Sequence, residues 1–311
     1  MLRPLAAGVL AAAWFVYYRR PFLRVHIRGL MTDFGAIPAE FSNEAFAEIV
    51  LLPVPYDETS TWLKGADRGP EAIITASGNM ELYDIETQSE VYRRGIFTAP
   101  PITEKRSPEA MVDAVRERTA EFLERGKFVI TVGGEHSVSI GAIQAHAARW
   151  PQLSVLQLDA HADLRETYDG SAFNHACVMA RAQETSAVVQ VGIRSMDAGE
   201  RSRLQPANVF WAHEIVRTPG WIGAVVDRLS AECYVTIDLD VFDPAIMPST
   251  GTPEPGGLSW YEVLGLLREV SRRRRIVGAD VVELCPAAHN KAPDFLAAKL
   301  IYKLLSYRFA G

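Results

Sequence analysis

The strongest constraint on this chain is a repeated ending, in which apolar strand-like runs stop abruptly in acids and histidines. The run Leu153–Leu158 reads as a buried parallel strand and is followed at once by Asp159-Ala160-His161-Ala162-Asp163. If the backbone stays extended past the strand, side chains at i, i+2 and i+4 share one face, so Asp159, His161 and Asp163 converge on one small volume. Taken alone, that spacing fits either a divalent metal bound through oxygen and nitrogen or a hydrogen-bonded polar strand end.

The same arrangement occurs twice more. The strand Tyr234–Ile237 runs into Asp238-Leu239-Asp240, and 127–132 runs into Gly133-Gly134-Glu135-His136-Ser137. Three strands thus deliver metal-type ligands at their carboxyl ends, which is where open α/β sheets place their sites. The candidates are His136, Asp159, His161, Asp163, Asp238 and Asp240, a set with no thiolate. One zinc takes three or four ligands, whereas this set is larger and carboxylate-rich. It suits a pair of harder ions sharing bridging carboxylates. Glu135 and Asp243 are left outside it, as acids that hold ligands or loops in place.

In order, Gly-Gly-Glu-His (133–136), Asp-Ala-His-Ala-Asp (159–163), Asp-Leu-Asp-Val-Phe-Asp-Pro (238–244) and the glycine-rich Ser249–Leu258 resemble the ureohydrolases, the arginase and agmatinase family. The resemblance runs from about Ala47 to the C-terminus. It implies a single-domain, three-layer αβα fold with a mostly parallel central sheet of about eight strands. It also implies two manganese ions, although nickel or cobalt would match the same ligand types. One ion would take His136, Asp159, Asp163 and Asp238; the other would take His161, Asp159, Asp238 and Asp240, with Asp159 and Asp238 bridging. The implied reaction is hydrolysis of a guanidino compound to urea and an amine.

By the same resemblance, Asp163 passes a proton to the departing amine and His175 shuttles protons at the cleft mouth. Glu283 pairs with the substrate guanidinium, a planar cation to which a carboxylate gives two parallel charge-assisted hydrogen bonds. The segment Leu164–Asn174 occupies the place where arginases hold the amino-acid end of arginine, but the expected Asn–Thr–Ser pattern is missing. In its place stands Arg165-Glu166-Thr167-Tyr168-Asp169-Gly170-Ser171, which looks like agmatinase-type sequence. Glu166 and Asp169 suit a second amine rather than a carboxylate. Agmatine, giving putrescine, is therefore the first choice, followed by aminopropylagmatine and then guanidinobutyrate. Family members are trimers or hexamers, so a homotrimer or homohexamer is expected.

Three rival classes fit less well. Binuclear metallophosphatases use a Gly-Asn-His segment, which is absent. Deacetylases of arginase-like fold carry one zinc and fewer carboxylates. A silent scaffold would have lost a ligand, and all six are present.

Composition narrows the partners. A formal net charge of −6 argues against a nucleic-acid binder and favours a cationic ligand. The hydrophobic share of 48% and a mean hydropathy of +0.01 fit a soluble globular chain with an ample core. The three cysteines (Cys177, Cys233, Cys285) form no C-x-x-C pair, so reduced thiols and a cytoplasmic location are expected.

Along the chain, apolar runs at Ile49–Val54, 127–132, Ser154–Leu158, Val188–Ile193, Val209–Trp211, Tyr234–Ile237 and Ile276–Val282 predict strands. Helices are predicted near Glu71–Ala76, from Ser107 to Gly126, and over Val138–Trp150, Ser259–Arg273 and Asp294–Tyr307. The basic run Arg272–Arg275 reads as a solvated helix terminus. With no linker after residue 47, the folded unit is expected to be one domain over 31–311.

Residues 1–30 do not match the rest. The run Leu5–Tyr18, followed by Arg19-Arg20, falls short of the ~20 apolar residues of a spanning helix. No small-x-small cleavage site follows it, and membrane association is not expected. A short anchor with snorkelling arginines is the alternative. The adopted reading is an upstream extension, with Met31 as the physiological start. A chain beginning at Met31 is therefore expected to match the full chain in thermal melting, metal content and turnover. Aggregation or lost turnover on truncation would make the extension part of the fold or its anchor.

Overall fold

The computed structural model of the protein describes residues 33–309, so the expectation for residues 1–30 lies outside the described residues. Within them lie eight strands: β1 (Ile49–Val54), β2 (Ile96–Thr98), β3 (Phe128–Gly133), β4 (Ser154–Leu158), β5 (Ala187–Ile193), β6 (Val209–Trp211), β7 (Glu232–Asp238) and β8 (Arg275–Val282). The helices among them are α1 (Gly69–Ser77), α2 (Pro108–Glu124), α3 (Val138–Arg149), α4 (Val178–Ala182), α5 (Ala212–Ile215), α6 (Trp221–Arg228), α7 (Trp260–Arg273) and α8 (Ala292–Phe309). None of the described helices is long and apolar enough to cross a membrane.

All strand pairs are parallel, in the order β2-β1-β3-β8-β7-β4-β5-β6. The inner strands are buried along nearly their whole length, which is why they read as continuous apolar runs rather than alternating ones. Their side chains still alternate between two cores. Ile49 and Leu51 pack on one face with Ile73 of α1, Leu266 of α7 and Leu304 of α8. Val50 and Leu52 pack on the other with Val115 of α2, Ile143 of α3 and Met179 of α4. The result is the three-layer αβα architecture expected from the sequence.

Local signals explain most boundaries. Ser107 caps α2 by accepting the Ala110 N–H at 3.2 Å, with Pro108 opening the helix. Ser259 and Glu262 form a reciprocal capping box on α7. Arg272 and Arg273 close α7 and pair with Glu269 and Asp227. The strand that the sequence pattern missed is β2, a three-residue strand at one edge of the sheet.

This topology sets the position of the site. The chain leaves β4 towards β5 on one side and returns through β7 on the other, opening a crevice at the carboxyl ends. The four strands carrying the candidate residues, β3, β8, β7 and β4, are neighbours there. Past β3 the backbone is clamped on both sides. Gly134 donates to the Val54 carbonyl at 2.8 Å and its own carbonyl accepts from Glu283 N–H at 2.8 Å. A Cβ at Gly134 would lie 1.8 Å from the Tyr56 carbonyl oxygen, a backbone atom that cannot swing away. Gly134→Ala is therefore expected to destabilise the fold by at least about 2 kcal/mol, the range of overpacking in a rigid site. Denaturant unfolding checks it, and a midpoint unchanged from wild type would contradict the clamp.

Candidate active site

The chain beyond β4 departs from the extended strand expected from the sequence, yet the candidate residues meet. Past Leu158 the chain bends at Ala160, pairs again at His161 in a parallel bridge to Ser195, and turns at Asp163, whose φ of +52° lies in the left-handed region. Asp159, His161 and Asp163 nevertheless converge, because turns and not strand periodicity bring them together. Ala160 N–H donates to Asp240 Oδ1 at 2.9 Å, and His161 N–H donates to Asp159 Oδ1 at 2.6 Å. A buried amide chain braces the turn from below. Gln190 donates to Gln157 Oε1 at 2.7 Å and to the Ala162 carbonyl at 2.8 Å, and Gln157 donates to Asp159 Oδ2 at 2.7 Å.

Two groups of these residues could each hold a metal ion, His136–Asp159–Asp163 and Asp159–His161–Asp240, with Asp159 common to both. His136 Nδ1 lies 2.9 Å from Asp163 Oδ2, 3.2 Å from Asp159 Oδ2 and 3.6 Å from Asp238 Oδ2. His161 Nδ1 lies 2.9 Å from Asp240 Oδ2. Asp238 also accepts the Asp240 N–H at 2.8 Å.

A relay behind His136 decides which of its nitrogens faces this cluster. Thr236 Oγ1 donates its only hydrogen to Asp280 Oδ1 at 2.7 Å, so at 2.9 Å from His136 Nε2 it can only accept. Tyr234 OH donates to the other Asp280 oxygen at 2.8 Å. A neutral His136 therefore carries its proton on Nε2 and turns the Nδ1 lone pair towards three carboxylates. That nitrogen is buried and aligned for a hydrogen bond with none of them. A lone pair among carboxylate oxygens is repulsive unless a proton or a metal ion sits there; burial opposes a charged ring, but Asp159 and Asp163 outweigh it and raise His136 well above its ordinary value, so the donor set fits a divalent metal in the place of that proton.

Electrostatics point the same way. Burial pushes Asp238 well above the usual carboxylate range, and Asp240, Asp159 and Glu283 push it further. Asp163 is raised by burial and by Asp159. For His161, burial opposes the charge, but Asp240 and Asp159 outweigh it and raise the ring to about 12. Acids this crowded hold protons unless other positive charge takes their place.

Glu283 follows β8 and is buried at φ +67°, a conformation uncommon for a side chain of this kind. Its Oε1 accepts the His136 N–H at 2.8 Å, and burial followed by Glu135 holds its carboxyl well above the ordinary value. His175 is half-buried across the cleft, and burial together with positive His136 and His161 presses it down to about 4. A cavity of about 290 Å³ is lined by His136, Asp163, His175, Asp238 and Glu283, and by the more exposed Arg165, Tyr168 and Asp197.

Two predicted substrate contacts are placed elsewhere. Glu166 is exposed and forms ion pairs with Arg181, at 2.8 Å, and with Arg203. Asp169 takes a left-handed position, φ +47°, in an exposed turn closed between Tyr168 and Ser171. Neither lines the cavity. Arg165 does line it, with its guanidinium 4.5 Å from the Tyr168 ring centre and 3.6 Å from Asp197 Oδ2. Asp197, in the cavity lining, and Thr59, whose Oγ1 accepts the His175 N–H at 3.1 Å, have no motif around them, and sequence reasoning missed both.

The Arginase family model matches residues 47–306. The chain is 38% identical over 277 residues to the N(1)-aminopropylagmatine ureohydrolase of Synechocystis sp., covering 86% of this chain and 90% of that protein. It is 31% identical over 264 residues to the agmatinase of Pyrococcus horikoshii, covering 83% and 91%. Its fold superposes on the crystal structure of agmatine ureohydrolase of Thermoplasma volcanium with a TM-score of 0.80 at 29% identity, over 91% of this chain and 96% of that one. With the family match spanning the whole sheet and every strand end that builds the cleft, the chain belongs to the arginase family.

Proposed function

We propose that the protein hydrolyses a linear guanidino compound to urea and an amine, with agmatine or aminopropylagmatine as substrate. The observation that carries this reading is Glu283, a buried carboxyl in the same cavity as the carboxylate–imidazole cluster. A guanidinium is permanently cationic at neutral pH and offers paired N–H donors to such a carboxyl. Its burial then gives the raised Glu283 the counter-charge it lacks.

In this reading His136, Asp159, Asp163 and Asp238 hold one divalent ion, and His161, Asp159, Asp238 and Asp240 hold the other. The oxygen-rich, thiolate-free set favours manganese. When bound, such a pair supplies a nucleophile at neutral pH by acidifying water. Glu283 fixes the guanidinium so that its carbon faces the cluster. Asp163 accepts a proton from the attacking water and gives it to the departing nitrogen. Both water hydrogens end on that nitrogen, which leaves as an alkylammonium, while the oxygen stays with the carbon as urea. His175 exchanges protons at the mouth. Cytoplasmic location and a trimeric or hexameric assembly belong to the same reading, supported by the free cysteines and by family membership.

The far end of the substrate meets Asp197 and Arg165 instead of Glu166 and Asp169. Asp197 and the Tyr168 ring already engage the Arg165 guanidinium, which leaves little free positive charge for a substrate carboxylate. An ammonium suits this mouth. A charge contact of this kind is worth roughly 1.5–3 kcal/mol, and ~1.4 kcal/mol already gives a factor of ten. Agmatine or aminopropylagmatine is thus expected to exceed arginine in kcat/KM by at least about tenfold. A second reading is carried by Arg165 itself: released from Asp197, it would pair with guanidinobutyrate. Urea release from the four compounds separates these cases, and a preference for arginine or guanidinobutyrate contradicts the amine reading.

The relay behind His136 gives a further test. Thr236→Val keeps the shape but removes the acceptor that holds Nε2–H. The variant is expected to bind its tighter ion about 10–100-fold more weakly, the usual cost of losing such a partner. Competition with a chelator checks it, and an unchanged affinity would contradict the relay.

A further inference from the structure

Arg194, directly after β5, is half-buried and sends its guanidinium to the chain just past β7. Among the described residues it makes no ion pair, and its hydrogen bonds all run to main-chain carbonyls. Nη2 donates to Asp240 at 2.6 Å and to Glu254 at 2.8 Å, Nε to Pro255 at 3.1 Å and Nη1 to Gly192 at 3.1 Å. A planar fork of fixed donors can hold several chain segments at once, which a compact ammonium does less well.

The segments joined in this way carry the ligands of one ion. Asp240 Oδ1 accepts the Ala160 N–H at 2.9 Å, in the turn between Asp159 and His161. The Ala160 carbonyl accepts the main-chain N–H groups of Arg194 at 2.8 Å and Ser195 at 3.0 Å, and Ser195 bridges to His161. The glycine-rich segment 254–257 closes the set. Arg194 takes two of its carbonyls, and Asp243 Oδ2 accepts the N–H groups of Gly256 at 3.0 Å and Gly257 at 3.2 Å. Asp240 is thus held at its carboxylate by the His161 turn and at its carbonyl by Arg194. His136 and Asp163 hang from other contacts. The His136 ring meets Thr236 at 2.9 Å, and its N–H reaches Glu283 at 2.8 Å. The Asp163 carbonyl accepts the N–H groups of Met179 at 2.9 Å and Ala180 at 3.2 Å.

We propose that Arg194 is a positioning residue for the ion of His161 and Asp240, and not for the ion of His136 and Asp163. The proposal rests on the two-ion reading above. The charge of Arg194 works against such a role, since a guanidinium beside a cation site repels the cation. Removing the side chain raises metal affinity if charge decides the outcome, and lowers it at one site if positioning does. The sign separates the two.

The test is calorimetric titration of manganese into the chelator-stripped full chain, wild type against Arg194→Met, which keeps an apolar stem and removes donors and charge together. One binding step is expected to weaken about 10–100-fold, the usual cost of losing a partner that orients a ligand, while the other stays within about threefold. The weakened step should be the one that Thr236→Val leaves unchanged, because Thr236 acts through His136. Arg194→Lys, with the charge kept and the fork lost, should fall between wild type and Arg194→Met. Tighter binding in Arg194→Met, or two steps unmoved from those of wild type, overturns the proposal alone. So does weakening of one and the same step by Arg194→Met and Thr236→Val. Loss of both steps in both Arg194 variants also overturns it, by making Arg194 a prop of the whole fold. A single equivalent in wild type overturns the two-ion reading and the proposal with it.

Discussion

Everything in this structure depends on like charges held close together in a buried place. Asp159, Asp163, Asp238, Asp240 and Glu283 converge at the carboxyl ends of adjacent parallel strands, all of them buried. Left unpaired, each such charge carries a desolvation cost of several kcal/mol, and their mutual repulsion adds to it. The two imidazoles offset part of this, and burial forces protons onto several of the acids.

The restraint on these acids comes from layers beneath the cluster. The Gln157–Gln190 pair fixes Asp159 from the sheet interior, and Thr236 with Asp280 fixes the His136 ring. Asp163 and Glu283 both sit at positive φ, a conformation that persists only where surrounding contacts over-determine it. Glu283 shows how: its N–H is tied to Gly134 and its carboxyl to the His136 N–H, so two strand ends lock each other. The acids are held for a cation, and a cation is what a guanidino substrate and divalent metals both bring.

The parts of this arrangement visible in the sequence were those with a period or a dense motif. Buried parallel strands read as apolar runs, and the acids and histidines after three of them stood out because polar clusters are poor core. The three-residue edge strand β2 was missed, whereas β6, of equal length at the opposite edge, was read. Asp280 was hidden inside an apolar run, its charge legible only once Thr236 and Tyr234 were seen to donate to it. Glu166 and Asp169, expected near the substrate, lie outside the cavity lining, because a loop sequence does not say which way it folds. Arg181 and Arg203, 15 and 37 positions further on, capture Glu166. Thr59 lies 116 positions from His175, and no local pattern could join them.

The central claim is that the buried acids form one site for two cations that share Asp159 and Asp238. Calorimetric titration of manganese into chelator-stripped protein tests it most directly. The account predicts two ions per chain in wild type, and the loss of both in Asp238→Asn, since a bridging carboxylate serves each ion. One equivalent in wild type, or one site surviving unchanged in Asp238→Asn, would contradict it.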